Sequence, residues 1–320
     1  MNNLLLVDVV LLSFNRCPET LAAIKSVFDQ EKVQPILWVV DQGSETETIE
    51  TLREFAKGLE NFHLIEVGHN LGPPGGRNLG MKMGKAPYVV VIDNDAEFAS
   101  TNAIFTTIQR FEKEPELGVI GFRILNYFTG KDDEVSWAYP IKQKTMRDQE
   151  FYTTRYVGCG HAFLRSVLEK SGYYDESLFF YHEEIDISFK IIALGYKLIY
   201  FPSVIVRHKT SSDSRVTWKN GRYYYMARNG LFVNFKSTRS WRDFIIRAVG
   251  YKIKGLLNGV FIEGIRGIFD GYKMCLKFLK KGDFVTLSPQ NWEYIYKFEL
   301  SYRGSYFDRW RNEILSGFGK

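Results

Sequence analysis

Cysteine is scarce in this chain. Cys17, Cys159 and Cys275 are the only three in 320 residues, with no Cys-x-x-Cys pair among them, which excludes a disulfide scaffold and a structural zinc site. Reduced thiols and an intracellular, cytoplasmic setting are expected. The features of a secretory leader are not found in the first segment: no basic residue precedes its apolar run, and Asp8 lies inside it, so the segment is expected to be a buried strand and not a secretory signal. Between Ile245 and Leu279 the longest stretch without charge, Gly255 to Ile262, has eight residues, against the ~18 or more that a membrane-spanning helix needs. Neither a dinucleotide fingerprint nor a Walker loop is present. The first strand-like run is followed by no glycine until Gly43, so a dinucleotide-binding dehydrogenase is disfavoured.

What is there is the composition of a folded protein: 45% hydrophobic, 25% charged and 16% aromatic residues. Four short β-branched runs, Val7–Leu12, Ile36–Val40, His63–Val67 and Tyr88–Ile92, alternate with helix-like segments at 19–30, 45–58 and 75–84. One crossover helix per interval predicts an α/β fold with a mostly parallel sheet. Ligands of such sheets bind beyond the carboxyl ends of the strands. Each run here leads into a polar cluster: Ser13-Phe14-Asn15-Arg16, Asp41-Gln42-Gly43-Ser44, Gly68-His69-Asn70 and Asp93-Asn94-Asp95. All four are expected on one rim.

Several of these residues suit particular chemistry. The loop Asn70-Leu71-Gly72-Pro73-Pro74-Gly75-Gly76-Arg77-Asn78 opens a helix, where glycines let a phosphate approach the positive end of the dipole. Asp93 and Asp95 put two hard carboxylates two residues apart at a strand end, a pattern suited to Mg²⁺ or Mn²⁺. Glu183, Glu184 and Asp186 fall in the first turn of a helix marked by Ile185, Phe189 and Ile192, and a carboxylate there is a candidate general base. His208, just after a further strand, could complete the coordination of a cation at Asp93 and Asp95. Tyr223-Tyr224-Tyr225-Met226-Ala227-Arg228-Asn229 is an aromatic and basic tract, suited to packing in a core or to stacking on a base or sugar.

In their order these pieces, with Tyr156-Val157-Gly158-Cys159-Gly160-His161 between them, resemble inverting family 2 glycosyltransferases of GT-A fold over residues 5 to 235. The likeness is to the rhamnosyltransferase-like and galactofuranosyltransferase-like bacterial enzymes that extend surface glycans. The resemblance implies a Rossmann-like GT-A domain over residues 1–235 and a C-terminal helical annex over 236–320. It implies that Ser13, Asn15, Arg16 and Asp41 hold the nucleoside, and that Arg77 and Asn78, at the end of the loop carrying Asn70 and Gly72, lie near the ribose and diphosphate. Asp93, Asn94 and Asp95 match the DxD motif, with His208 joining the metal. Glu184 matches the base, flanked by Glu183 and Asp186, and the choice between the two glutamates stays open. Gly158, Gly160 and His161 fall on the acceptor side. The implied partners are a UDP-, dTDP- or GDP-linked sugar donor, a divalent cation, and a glycan or lipid-linked glycan acceptor. The alternative is a silent nucleotide-sugar-binding or scaffold protein of the same fold.

Charge is uneven. Residues 239–281 carry ten Lys/Arg and three Asp/Glu, net +7, which leaves +5 − 7 = −2 on the rest. Apolar residues recur with helical spacing through this basic region, from Ile245 to Leu279. That stripe suits packing within the molecule, pairing of two subunits as a homo-oligomer, or contact with an anionic membrane surface. Without a zinc-finger or RNP-like pattern, nucleic acid is not an expected partner.

Overall fold

The structure, a computed structural model, describes residues 4–209, 221–282, 286–305 and 308. Its first half alternates strands and helices: β1 (Leu5–Ser13), α1 (Cys17–Phe28), β2 (Val33–Asp41), α2 (Thr46–Ala56), β3 (Phe62–Glu66), α3 (Gly72–Met83) and β4 (Tyr88–Asp93). There follow β5 (Ala96–Phe98), α4 (Ala103–Lys113), β6 (Leu117–Asn126), β7 (Phe151–Thr153), β8 (Gly160–Leu164), α5 (Arg165–Ser171), α6 (Glu183–Ala193) and β9 (Lys197–His208). The described C-terminal part is helical: α7 (Tyr223–Thr238), α8 (Trp241–Leu257), α9 (Phe261–Lys281) and α10 (Pro289–Phe298).

The strands form one nine-stranded sheet in the order β3-β2-β1-β4-β8-β6-β9-β5, with β7 paired to β9. β1 to β4, β6 and β9 run one way, and β5, β7 and β8 run the other. Alternate residues of β1 explain why the sheet is covered on both faces. Val7, Val9 and Leu11 enter one core with Ile24, Leu52 and Ile108, and Val10 enters the other with Met81, Val167 and Ile191. The chain reverses its direction of travel across the sheet at β1, which lies between β2 and β4. Register there aligns Ser13 with Asp41 and Leu12 with Asp93, so the polar ends of three strands share one rim at the switch point.

At the opposite end of β1, the acidic residue noted in the sequence is fully buried. Asp8 accepts hydrogen bonds from Trp38 Nε1 (2.8 Å), the amide of Ala86 (2.6 Å) and Arg165 Nη2 (2.7 Å). Arg165 also donates to the carbonyls of Ala86 and Met81. One buried ion pair thereby ties β1 to the end of α3, the start of β4 and α5. The chain comes so close here that a β-carbon at Gly84 would collide with the Asp8 carboxylate.

The C-terminal region differs from the expectation in two respects. The boundary set after residue 235 falls inside α7, whose Leu231, Phe232 and Phe235 pack with Phe244 of α8 and Cys275 of α9. The chain then returns to the sheet. Tyr294 of α10 donates to the carbonyls of Thr153 and Leu198, and Glu299 accepts from Thr154 and from Arg155. The single apolar stripe is divided between α8 and α9 by the turn at Asn258-Gly259-Val260. Among the described residues no helix is long and apolar enough to cross a membrane.

Breaking a buried pair by removing one partner costs about 3–5 kcal/mol because the other charge is stranded. Arg165→Leu is accordingly expected to lower unfolding stability in urea by about that amount, and the double variant Asp8→Asn/Arg165→Leu to recover part of it.

Candidate active site

The centre of the site is a buried arginine. Arg77 lies in α3, whose first residue, Gly72, has φ +71 and fits so tightly against the carbonyl of Phe179 that a β-carbon would collide with it. Asn70 caps this turn by accepting from the amide of Gly72 (2.7 Å). From there Arg77 donates through Nη2 to Asp93 Oδ1 and to the carbonyl of Gly158, both at 3.0 Å. Its Nη1 lies 3.5 Å from Glu184 Oε1 and 3.9 Å from Glu183 Oε1. One guanidinium therefore joins the end of β4 to the start of α6, with Arg77 and Glu184 107 residues apart in sequence. Gly158 has to be small for this: a β-carbon would collide with Glu184 Oε1 and stand 3.1 Å from Arg77 Nη2.

The two glutamates differ in access. The side chain of Glu184 is 21% exposed and that of Glu183 5%. Burial raises the proton affinity of both, the neighbouring Glu184 raises that of Glu183 further, and Arg77 opposes the rise in each. Burial likewise lifts Asp93 above the usual carboxylate range, with Arg77 acting against it and Asp95 adding to it. Arg77 itself stays charged, because the carboxylates around it outweigh its desolvation.

Asp95 belongs to a second chain of contacts. One oxygen pairs with Arg16 Nη1 at 2.5 Å and the other faces His208 Nε2 at 3.4 Å. His208 Nδ1 is 3.1 Å from Asp133 Oδ2. Burial disfavours ionised Asp95, yet His208 and Arg16 together hold it below its ordinary value. Burial also works against the charged imidazole, but Cys159, Asp133 and Asp95 raise His208 well above it. Once His208 gives up its proton, carboxylate oxygens and an imidazole whose far nitrogen is fixed by a second carboxylate make a donor set suited to Mg²⁺ or Mn²⁺. Among the described residues no three His, Cys, Asp or Glu side chains are gathered as a metal-holding group, because Asp93 and Asp95 are turned toward Arg77 and Arg16.

Several expected site residues make bonds within the scaffold. Asp41 is fully buried, and its carboxylate accepts from the amides of Gly43 and Ser44 and from the Ser44 hydroxyl. Asn15 joins two rim loops: its amide donates to Ser44 Oγ and its side chain accepts from the amide of Glu45. Ser13 is buried beneath them, and Asn94 donates to Thr20 of α1. Asn78, buried, pins the 174–176 segment, donating to the carbonyl of Tyr174 and to Glu176 and accepting from the amide of Tyr174. His161 is buried on β8 with Nε2 3.0 Å from Tyr174 Oη, and Gly160 faces Val206 and Ile124 in the core. Asp186 points away from Arg77, toward Lys236 (2.5 Å) and Lys190 (3.2 Å), beside a cavity of about 920 Å³ behind α6.

The tract beginning at Tyr223 has a role that the sequence did not disclose. Phe179, Tyr181 and His182, immediately before Glu183, have φ of 59°, 72° and 69°, a left-handed backbone that non-glycine residues keep only when their surroundings impose it. Asn229, fully buried on α7, puts Nδ2 2.7–2.8 Å from the carbonyl oxygens of Leu178, Phe180 and Tyr181. Arg228 adds bonds to the carbonyls of Ser177 and Leu178. α7 thus clamps the loop that aims the two glutamates.

With this geometry established, the similarities to known proteins can be read. The model of glycosyl transferase family 2 matches residues 8–172, just over half of the chain. The chain belongs to that family. Poly-beta-1,6-N-acetyl-D-glucosamine synthase from Staphylococcus epidermidis is 24% identical over 234 residues, covering 70% of this chain and 56% of the relative. The Staphylococcus aureus synthase is 22% identical over 215 residues, covering 63% and 50%. The chain thus spans about half the length of these curated relatives. Among solved structures, a mannosyltransferase from Pyrobaculum calidifontis in complex with GDP-Man and Mn²⁺ superposes with a TM-score of 0.57 at 16% identity, over 92% of this chain and 85% of that one. GalNAc-T7 with UDP, GalNAc and Mn²⁺ gives 0.59 at 17% identity, over 98% and 57%. The fold is the GT-A fold of these glycosyltransferases. The family match ends at residue 172, so Glu183, Glu184 and His208 stand outside it and are tied to it by the contacts described above.

Two outcomes follow from the site. Asn229→Leu takes the side-chain donor from the carbonyls of Phe180 and Tyr181, while Leu178 keeps that of Arg228, so it is expected to cost about 1–3 kcal/mol in urea unfolding and to lower kcat more than it raises KM. Glu183, facing Arg77, Glu184 and Asp93, keeps its proton in the folded state up to about pH 8, whereas the unfolded chain releases it near 4.5. Its contribution to stability is therefore full below pH 4.5 and lost as pH rises through about 8. Unfolding free energies at pH 5 and pH 9 should show this decline, and Glu183→Gln should flatten it.

Proposed function

We propose that the protein is an inverting glycosyltransferase that moves a hexosyl or deoxyhexosyl unit from a nucleoside-diphosphate donor to a hydroxyl of a glycan or lipid-linked glycan, in the synthesis of a surface polysaccharide. The observation that carries this reading is the convergence of Asp93 and Glu184 on Arg77 at the rim where β1 and β4 end. Donor-side and acceptor-side carboxylates are thereby held within one guanidinium's reach. The relatives' names support the polysaccharide context, and the titles of the two solved structures support a nucleotide sugar and a divalent cation.

Glu184 is the base in this reading, being the more exposed of the two glutamates and next to the space bounded by Gly158. Its carboxylate takes the proton of the acceptor hydroxyl as that oxygen attacks the anomeric carbon. The diphosphate leaves from the opposite face and the configuration inverts. Glu183, deeper and protonated at neutral pH, spares Glu184 a second negative neighbour. Asp93, Asp95 and His208 would hold a divalent cation, which when bound offsets the charge on the departing diphosphate. Arg77 keeps Glu184 and Asp93 in fixed relation, and Asp133 fixes the His208 ring.

Losing a positioned base typically lowers the rate by about 10²- to 10⁴-fold. Glu184→Gln is expected to show that loss while retaining the rise in melting temperature that UDP, dTDP or GDP gives with Mn²⁺. Full transfer by Glu184→Gln, with loss in Glu183→Gln, would shift the base one residue upstream. No Mn²⁺-dependent thermal response to any of the three nucleotides would reject the donor reading. Because burial raises Glu184, the acid limb of kcat/KM is expected above pH 4.5.

A further inference from the structure

The two faces of α9 have opposite fates. Its small residues point inward: a β-carbon at Gly267 would lie 2.6 Å from the carbonyl oxygen of Tyr224, and one at Gly271 2.9 Å from that of Arg228. With Cys275 buried in the same row, that side of α9 is committed to close contact with α7. On the outer side Ile262, Ile265, Phe269, Tyr272, Leu276 and Leu279 recur every three or four residues and are all exposed, Ile262 to 70% and Phe269 to 59%. The outer side of α8 continues the surface with Ile245, Ile246, Val249, Leu256 and Leu257, each 39% exposed or more. Half of the exposed large hydrophobic side chains of the described residues therefore lie on this one helical pair, eleven of twenty-two. Isolated exposed apolar residues need no explanation, but a continuous surface of this extent implies an occupant.

Charge decides which occupant. Arg242, Arg247, Lys252, Lys254, Arg266 and Lys273 are interleaved with the apolar residues, and the 239–281 segment carries net +7. A second copy docking through the same surface would bring +7 against +7 across a low-dielectric contact, which opposes pairing. An anionic bilayer offers both complements, acyl chains for the apolar row and phosphates for the cations beside it. Lys273, 3.3 Å from Asp270, already sets its ammonium beside this apolar row, 4.1 Å from the centre of the Phe269 ring. We infer that α8 and α9 form an in-plane platform that seats the protein on an anionic membrane surface without crossing it. This goes beyond the transfer reaction proposed above and does not depend on it.

Flotation of the full chain with phosphatidylcholine vesicles, with or without 30 mol% phosphatidylglycerol, tests this. Binding is expected to the anionic vesicles at low ionic strength, to weaken in 0.5 M NaCl, and to be marginal on pure phosphatidylcholine. Phe269→Asp/Leu276→Asp changes only exposed side chains, so its melting temperature should match the wild type while the partition coefficient falls at least about tenfold. Lys273→Glu/Lys280→Glu should fall by a similar factor and lose its salt dependence. Failure of the wild type to float with anionic vesicles at low salt would overturn the platform. So would unchanged flotation in both variants. A stable dimer in sedimentation equilibrium that Phe269→Asp/Leu276→Asp dissociates, with no vesicle binding, would assign the surface to a second copy instead.

Discussion

The site depends on burying one guanidinium among carboxylates. Arg77 is almost inaccessible, and such a charge is costly unless neighbouring anions and carbonyls replace its water. Asp93, Gly158 and the paired glutamates supply that replacement. Because these partners come from β4, the loop before β8 and α6, satisfying one cation fixes three otherwise independent segments relative to each other. The same interaction leaves the carboxylates short of full compensation, since two glutamates and one aspartate share a single positive charge. Burial, together with that shortfall, raises the proton affinity of all three carboxylates.

Around this centre the rim is layered. Residues nearest the strand ends, Asp41, Asn15, Ser44 and Asn70, spend their polar groups on one another and on loop amides. Residues one step outward, Asp95, His208 and Glu184, stay partly accessible, at 17%, 14% and 21% of their side chains. A rim loop with unsatisfied amides would be mobile, and a cleft on mobile loops could not hold a donor and an acceptor in line. Internal hydrogen bonding thus has a mechanical purpose even where it removes a residue from direct contact with a ligand.

Much of the fold was legible because local rules were strong. The β-branched runs of β1 to β4 stood out from their surroundings, and the polar clusters after them marked the rim. The Asp93–Asp95 pair and the acidic start of α6 could be placed for the same reason, one ending the most apolar strand and the other opening a helix with regular apolar spacing. What escaped was long-range. That Asn78 and His161 serve the scaffold, that Asp186 turns toward Lys236, and that Asp133 backs His208 all depend on partners distant in the chain. Asn229 stood in a tract that looked like a packing helix. Its clamp on three carbonyls became visible only through the left-handed backbone of Phe179, Tyr181 and His182, which side-chain identity does not announce.

The return of the chain after α9 bears on how the molecule can be divided. Glu299, just past α10, grips Thr154 and Arg155, a few residues before Gly158 at the edge of the cleft. A truncation designed to isolate a minimal catalytic core by cutting near residue 236 would therefore remove a brace from the loop that carries Gly158. Modularity in this chain is interlaced and not serial, and any chimera that exchanges its helices has to carry that final grip along.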